Sequence, residues 1–418
     1  MFPENNRETI VIFGGGPVGL SCALALANFD FNVFLVIQSE HTNSIPRIDY
    51  RTSALFSGSI EFLKNLKIWR ACEPESQPIK SIRLIDDTQN LMRSPEIQFH
   101  ANELGLEFFG FNIPNFILND ALKIEIKKKS NIILEYVDKY PQIEIIDEYT
   151  KVTINPERHF CSKILIAADG KDSPLRSIAN IPVRRWVYSQ SAIVTCFNHR
   201  KEHQGISTEF QRLSGPFTIV PLQGRTSSLV WVEETENAKS LYSLSDFELS
   251  KKIEDQLCGL LGPISNIGPR AIFPLTCLKP KTFAQNRVAL VGEAAHVIPP
   301  IGAQGLNLGF RDVAYLVECL TEARNTQNDI GSRKVLSVYN KSRSYDVLSR
   351  IYGIDILNSS FLSSHIIPHT LRSLALNGVK MLTPLRKKLM DIGVNPPGRV
   401  PNLMQEHLDP SIPSLSKI

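Results

Sequence analysis

The sequence predicts an α/β (α+β) protein with two sheets of different kinds and a helical C-terminal region, and three observations carry that expectation. Ile10-Val11-Ile12-Phe13 leads through a glycine-rich turn into an Ala/Leu-rich stretch and then into a second apolar run, Asn32 to Ile37. Between about Trp186 and Val232 the pattern changes to alternation of apolar and polar residues. From about Leu306 the chain takes on a helical pattern. Continuous apolar runs suit strands buried on both faces of a parallel sheet. Alternation suits an antiparallel sheet with one face on a core.

Each element follows from its own residues. Pro17 to Asn28 reads as a helix, so the start is a βαβ unit with short connections. Asn115 to Lys129 reads as a helix and Ile132 to Tyr136 as a strand; Ile164 to Ala168 is a further buried strand ending at Asp169-Gly170. The alternating runs are Ala192–Phe197, Phe217–Leu222 and Ser227–Val232, the last two joined by the turn Gln223-Gly224-Arg225. Val288 to Val291 returns to the buried type and enters Gly292-Glu293-Ala294-Ala295-His296, a Pro/Gly loop and a helix over 306–323. Helical sequence continues to about Leu389, and the proline-containing end from Pro396 reads as irregular.

Bulk properties exclude several classes. The 418 residues suffice for two or three structural units, with 43% hydrophobic and 21% charged residues. The 46 basic and 42 acidic side chains are too evenly balanced for nucleic-acid binding. Lys127-Lys128-Lys129 suits a helix C-terminus. Seven scattered cysteines without a CxxC pair indicate reduced thiols and a cytoplasmic-type compartment. His199/His203 falls in a polar loop and Pro368 interrupts His365/His369, so no metal site is expected. Thr9 to Phe29 has the length of a membrane span, but Gly14-Gly15-Gly16-Pro17 breaks it. Met1 to Glu8, with one Arg and two Glu, lacks the character of a signal-peptide start.

Gly14-x-Gly16-x-x-Gly19 follows a strand and opens a helix, the context in which such glycines let a pyrophosphate approach backbone N–H groups. The acid expected to hold a ribose at the end of the second strand is replaced by Ile37; Gln38 and Glu40 are the alternatives there. The motif therefore indicates a dinucleotide without choosing between NAD and FAD.

Two later motifs make the choice. Ala168-Asp169-Gly170-Lys171-Asp172-Ser173-Pro174-Leu175-Arg176 resembles the DG motif of aromatic-ring flavin hydroxylases. The stretch from Gly292 to His296, continuing as Pro299-Pro300-Ile301-Gly302-Ala303-Gln304-Gly305-Leu306-Asn307-Leu308-Gly309, resembles their second FAD fingerprint. Asp49-Tyr50-Arg51-Thr52-Ser53-Ala54-Leu55, Phe111–Asn115 and Gly302–Gly309 are similar to stretches of the polyprenyl-phenol hydroxylases of ubiquinone biosynthesis. That is a branch of the class A flavin monooxygenases with the p-hydroxybenzoate hydroxylase fold.

The resemblance implies that FAD is held by Gly14, Gly16, Gly19, Arg51, Asn115, Asp169, Glu293, Pro300, Gly302, Gly305, Leu306 and Asn307. Glu293 stands where most of the wider family has Asp, and Phe116 where related hydroxylases often have Arg. It further implies NAD(P)H or another electron donor, O₂, and hydroxylation of a polyprenyl phenol through a flavin C4a-hydroperoxide. No catalytic base is nominated, and for His296 a structural hydrogen bond is favoured over catalysis. The expected organisation is an FAD-binding unit over 1–80, 106–182 and 272–345, a substrate sheet over 81–105 and 183–271, and a C-terminal region over 346–418. The basic amphipathic stretch Leu371 to Leu389 suits either a docking helix or peripheral contact with an inner membrane and a ubiquinone-biosynthesis complex. A hydroxylase of soluble aromatics, a flavin oxidoreductase that uses no O₂, and a non-catalytic FAD-holding subunit are the alternatives.

Overall fold

A computed structural model describes residues 9–39, 51–88, 95–362, 382–394 and 398–406. The glycine-rich start forms β1 (Thr9–Phe13), α1 (Pro17–Asn28) and β2 (Asn32–Gln38). They belong to a six-stranded sheet completed by β8 (Ile132–Val137), β12 (Leu165–Ala167), β19 (Ala284–Gln285) and β20 (Val288–Leu290), in the order β19-β20-β12-β1-β2-β8. All pairings are parallel except β19 with β20. Ile10, Val11, Ile12, Leu35 and Ile166 are each fully buried, which explains why these strands read as unbroken apolar runs. From β1 the chain moves to β2 on one side and later to β12 on the other. The C-terminal end of β1 is thus a topological switch point, where open α/β sheets bind ligands.

The second sheet has eight strands, β17-β13-β16-β15-β14-β5-β6 with β18 also paired to β13. Its members are β5 (Ser81–Asp86), β6 (Ile97–His100), β13 (Val183–His199), β14 (Ile206–Gln211), β15 (Phe217–Leu222), β16 (Thr226–Glu234), β17 (Ile264–Ser265) and β18 (Ala271–Pro280). The three alternating runs of the sequence lie in β13, β15 and β16, which pair antiparallel. The sheet as a whole is mixed, because β5 pairs parallel with β14. One face is closed by α6 (Thr235–Ser243) and α7 (Asp246–Leu257): Phe197, Phe217, Leu229 and Trp231 pack there against Ala238, Leu249 and Ile253. Full burial of each such aromatic contributes about 1.5–3 kcal/mol. Ser245 and Glu248 form a capping box that fixes the start of α7.

Smaller pieces join the two sheets. β3 (Thr52–Phe56), β4 (Gln77–Ile79) and β7 (Gly110–Pro114) form a three-stranded ribbon, with α2 (Ser57–Asn65) and α3 (Trp69–Cys72) between β3 and β4. α4 (Asn115–Lys127) follows β7 directly and carries Lys127 in its last turn. β9 (Gln142–Ile145), β10 (Thr150–Asn155) and β11 (Arg158–Ser162) make a second ribbon, and α5 (Pro174–Ile178) follows β12. α8 (Gln304–Asn325) and α9 (Arg333–Leu362) cover the first sheet, and α10 (Thr383–Val394) lies on the Phe99 side of the second.

Two expectations need correction. His199 is not in a polar loop but is the last residue of β13, 4% exposed, bonded through Nδ1 to Lys201 O (2.7 Å) and through Nε2 to Ser227 Oγ (3.0 Å). The strand runs two residues beyond the alternating run because Asn198 and His199 still pair with β17. Within the proline-containing end, Asn402–Met404 forms an ordered turn that buries Leu403 and Met404 and accepts a bond from Asn65. His365/His369 and residues 371–381 lie outside the described residues.

Candidate functional site

The three glycine-containing motifs leave adjacent parallel strands at one edge of the first sheet. β20, β12 and β1 are neighbours, so Gly14, Asp169 and Gly292 emerge side by side. Ala168 N donates to Phe13 O (2.8 Å) and Val291 N to Ala167 O (2.9 Å), which holds the three ends in line. At Gly14 (φ +124°) a Cβ would sit 2.1 Å from Ala168 O, and at Gly19 2.1 Å from Gly14 O. Only glycine permits this packing of α1 on the turn. A Cβ at Gly16, by contrast, would meet nothing within 4 Å. Gly16 is the N-cap of α1 without a side-chain cap, and Pro17 follows it. The start of the helix is therefore available to an anion.

Ile37 packs against Gly15, where a Cβ would come 2.8 Å from Ile37 Cγ2, and Gln38 beyond it is exposed. The ribose end of the site thus offers Gln38, while Glu40 lies outside the described residues.

Asp169 is held from two sides. Its Oδ2 accepts from Tyr140 OH (3.0 Å) and Leu175 N (3.2 Å), and Tyr140 stacks on Phe13 at 5.3 Å. Burial pushes its pKa above the usual carboxylate range, against the opposing effect of Ser173, the Leu175 amide and Tyr140. Its Oδ1 is buried without a partner among the described residues. A buried carboxylate oxygen left unpaired is costly, so the atom is suited to a ligand donor. Glu293 is exposed between buried Gly292 and Ala294, which leaves its carboxylate free to face a bound group.

β3 ties the remaining predicted residues together. Arg51 O accepts from Asn115 N (2.9 Å), Ser53 Oγ donates to Asn115 Oδ1 (2.7 Å), and the Arg51 guanidinium lies 5.3 Å over the Phe273 ring. Asn307 bonds to Ala54 O, Ala303 O, Phe56 N and Ser59 Oγ at 2.7–3.0 Å. Its side-chain amide is thereby committed to fixing the loop on β3, and only its backbone remains for a ligand. Gly302 (φ +69°) and Ala303 (φ +53°) turn the chain sharply before α8, which starts with no side-chain cap. Pro300, Gly302 and Gly305 are exposed, Leu306 is half-buried, and a Cβ at Gly305 would meet nothing.

One functional arrangement escaped the sequence. Asp312, in α8, is fully buried; its Oδ2 accepts from Gly292 N (2.9 Å) and contacts His296 Nε2 (2.7 Å), and its Oδ1 accepts from Arg343 Nε (2.7 Å). Arg343 bonds to Asp346, which also meets Arg311 and Arg350, and Arg350 reaches Gln304. His296 therefore takes the structural role expected of it. Burial raises the Asp312 pKa, but His296 and Arg343 more than reverse this, so the carboxyl titrates below its ordinary range. The available signal was an Arg311-Asp312 pair inside an otherwise apolar helical run. A search centred on the glycine motifs passes over it.

The residues present fit FAD: two uncapped helix starts, glycine surfaces open to a close approach, an unpaired buried carboxylate oxygen and an exposed one. Comparison with known proteins agrees. The family model described as FAD binding domain matches residues 7–347. The chain is 30% identical over 384 residues to a ubiquinone hydroxylase, UbiL, of Rhodospirillum rubrum, covering 91% of this chain and 88% of the relative. It is 28% identical over 393 residues to 3-demethoxyubiquinol 3-hydroxylase of Escherichia coli, covering 92% and 98%. The crystal structure of p-nitrophenol 4-monooxygenase PnpA from Pseudomonas putida is similar in fold, with a TM-score of 0.74 at 17% identity over 93% of this chain and 97% of that one. By family match and by the extent of its likeness to these relatives, this chain belongs to the FAD-binding domain family of flavoproteins.

Proposed function

We propose that this protein is an FAD-dependent monooxygenase that hydroxylates the aromatic ring of a polyprenyl phenol in ubiquinone biosynthesis. The observation that carries this reading, beside the relatives named above, is that among the described residues neither Arg212 nor Arg225 stands on the sheet face turned toward β3, and the Arg51 guanidinium there lies over the Phe273 ring. Arg212 pairs with Asp87 (2.9 Å) and lies 4.7 Å over Phe217, on the opposite, helix-covered face. Arg225 is in the hairpin turn beside Glu202. The β3-facing side offers Ala192, Val194, Val230 and Val232 instead, an apolar wall for a ring without an acid group.

Bound FAD supplies the electron transfer, from NAD(P)H or another donor, and the activation of O₂. The protein supplies position and environment. Gly14, Gly16 and Gly19 admit the pyrophosphate; Asp169 and Glu293 accept ribityl and neighbouring donors; Arg51 and Asn115 lie along the FAD. The uncapped start of α8 at Gly305-Leu306 favours negative charge beside the ring, by about 0.3–1 kcal/mol and up to ~2 when partly buried. The same reading assigns residues 1–80, 106–182 and 272–345 to cofactor binding and 81–105 and 183–271 to substrate. The C-terminal region from 346 includes α10, whose Leu385, Leu389 and Ile392 are exposed beside Lys387 and Lys388. That surface supports peripheral membrane contact near a lipid-borne substrate. No helix among the described residues is long and apolar enough to cross a membrane.

The test is turnover of the FAD-loaded protein on a short-chain polyprenyl phenol under ¹⁸O₂. Incorporation of one labelled oxygen into the ring is the expected result. Hydroxylation of soluble aromatic acids in preference would overturn the substrate assignment. Absence of substrate-dependent donor and O₂ consumption would point to the non-catalytic subunit.

A further inference from the structure

We propose that Glu209 is the side chain that accepts the hydrogen bond of the substrate's phenolic hydroxyl, an assignment that rests on the function proposed above. β14 divides its side chains between the two faces of the sheet. Phe210 joins the helix-covered cluster, and the alternation sends Glu209 to the opposite face. Its register places it in a row with Thr218, Val230, Val194 and Ala271 across β15, β16, β13 and β18.

The rows on either side locate that face. One contains Val232, Ala192 and Phe273, and Phe273 lies under the Arg51 guanidinium at 5.3 Å. The other contains Val220, Ser228 and Cys196, and Ser228 accepts from Thr52 Oγ1 (2.9 Å) and Asn112 Nδ2 (3.2 Å). Arg51 and Thr52 lead into β3, which pairs with β7, the strand that runs up to Asn115. The row of Glu209 therefore runs between two rows that touch the cofactor-binding ribbon. Whereas Phe197, Phe217 and Trp231 on the far face are closed over, Val194, Glu209, Thr218 and Val230 are only half-buried. This is the less covered face of the sheet; of its carboxyls Asp86 is bonded to Thr88, and Glu209 stands in the middle row.

That carboxyl is held by neutral side chains, Gln211 and Thr218, alone among the described residues. Thr218 Oγ1 is 3.5 Å away, at the limit of a hydrogen bond, and no Lys, Arg or His pairs with it among the described residues. Burial pushes its pKa up, with Gln211 and Thr218 opposing. An acid retained on an apolar wall without a cation is costly unless a ligand uses it. Its neighbours in the row are Leu84 on β5 and Thr218 on β15, so an aromatic ring lying over Thr218 and Val230 would direct its hydroxyl toward the carboxyl. Glu209 then takes the phenolic proton as the O–H bond breaks, leaving the electron pair on oxygen to enrich the ring carbon that receives oxygen. Glu209 returns its proton to the phenolic oxygen as that carbon releases its own hydrogen to solvent as a proton, and aromaticity is restored.

The test uses the FAD-loaded protein with two non-reduced probes, 2-geranylphenol and its methyl ether, titrated by their perturbation of the flavin absorbance. The wild type should prefer the phenol by about tenfold or more, the worth of a hydrogen bond to a charged group. In Glu209→Gln and Glu209→Ala the preference should shrink to about twofold while affinity for the ether stays the same; Glu209→Asp should recover part of it. Equal affinity of the wild type for both probes would overturn the proposal whatever the variants do. So would an intact preference in both variants, or an equal loss of phenol and ether, which marks a structural role. Binding of neither probe by the wild type would instead overturn the assignment of a polyprenyl phenol, and this proposal with it.

Discussion

At the scale of single residues, the two carboxylates of the cofactor site are held in different ways. Asp169 is clamped by Tyr140 and the Leu175 amide and keeps one oxygen unpaired, whereas Glu293 stands exposed on a short turn. On the proposed function Glu293 would bind the cofactor without being needed by the fold, which makes it the cleaner probe. Glu293→Ala should weaken FAD by about 1–3 kcal/mol through the loss of one or two hydrogen bonds, and Glu293→Asp by less. Fluorescence titration of the apoprotein with FAD measures this; unchanged affinity in the Ala variant would place the carboxylate outside the site. Thermal stability of the apoprotein should not change, in contrast to any change at Asp169. Gly14, Gly16 and Gly19 were legible in the sequence because a turn under a helix start leaves a fixed spacing. Asn307 was singled out from its motif, but its part in fixing the loop on β3 was not legible. Its bonds to Ala54, Phe56 and Ser59 link segments some 250 positions apart, which local pattern does not register.

At the scale of elements, α8 is fastened to the second fingerprint by the buried Asp312. Its carboxylate receives Gly292 N, His296 and Arg343 at once, so one side chain fixes the turn that presents Glu293. Asp312→Ala should cost about 3–5 kcal/mol, since it leaves Arg343 buried with one acid fewer. Denaturant titration reads that loss, and a change below about 1 kcal/mol would contradict the burial of the network. A pH dependence follows as well. The folded pKa of Asp312 lies below its unfolded value, so its contribution is fully present above the unfolded pKa, about 4, and is lost as pH falls through the lower folded value. The Asn variant should lose that part of the acid sensitivity. The buried strands β1, β2, β12 and β20 and the alternating β13, β15 and β16 were readable because burial on two faces and on one face leave different periods. The parallel pairing of β5 with β14 was not, since it joins residues 81–86 to 206–211 and neither strand carries a mark of its partner. Asp312 was hidden for a related reason: its partners His296 and Arg343 lie on other elements.

At the scale of the whole molecule, the cofactor edge of the first sheet and the open face of the second meet across β3, and α10 sits at the outer end of that second sheet. α10 has two apolar stripes. Met390 and Val394 pack inward beside Phe99 and Ala101, and Arg386 is anchored on Glu103. Leu385, Leu389 and Ile392 form the other stripe and remain 42–45% exposed, with Lys387 and Lys388 adjoining. An apolar stripe flanked by lysines suits the surface of an anionic bilayer, to which the lysines are attracted and into which the leucines insert. Full burial of a leucine is worth about 1.5–3 kcal/mol, and about half of that remains to be gained at Leu385 and Leu389. The double change Leu385→Ser/Leu389→Ser should therefore weaken binding to vesicles by about tenfold or more. The measurement is co-sedimentation of the FAD-loaded protein with vesicles containing phosphatidylglycerol, compared with neutral vesicles, at low and high salt. Wild type should favour the anionic vesicles and release them as salt rises, because the lysine contribution is screened. FAD content and turnover of a short-chain phenol in detergent should be unaffected by the double change, since neither leucine touches the cofactor edge. Equal binding of both proteins, or no preference for the anionic vesicles, would remove α10 as a membrane contact while leaving the enzyme assignment intact.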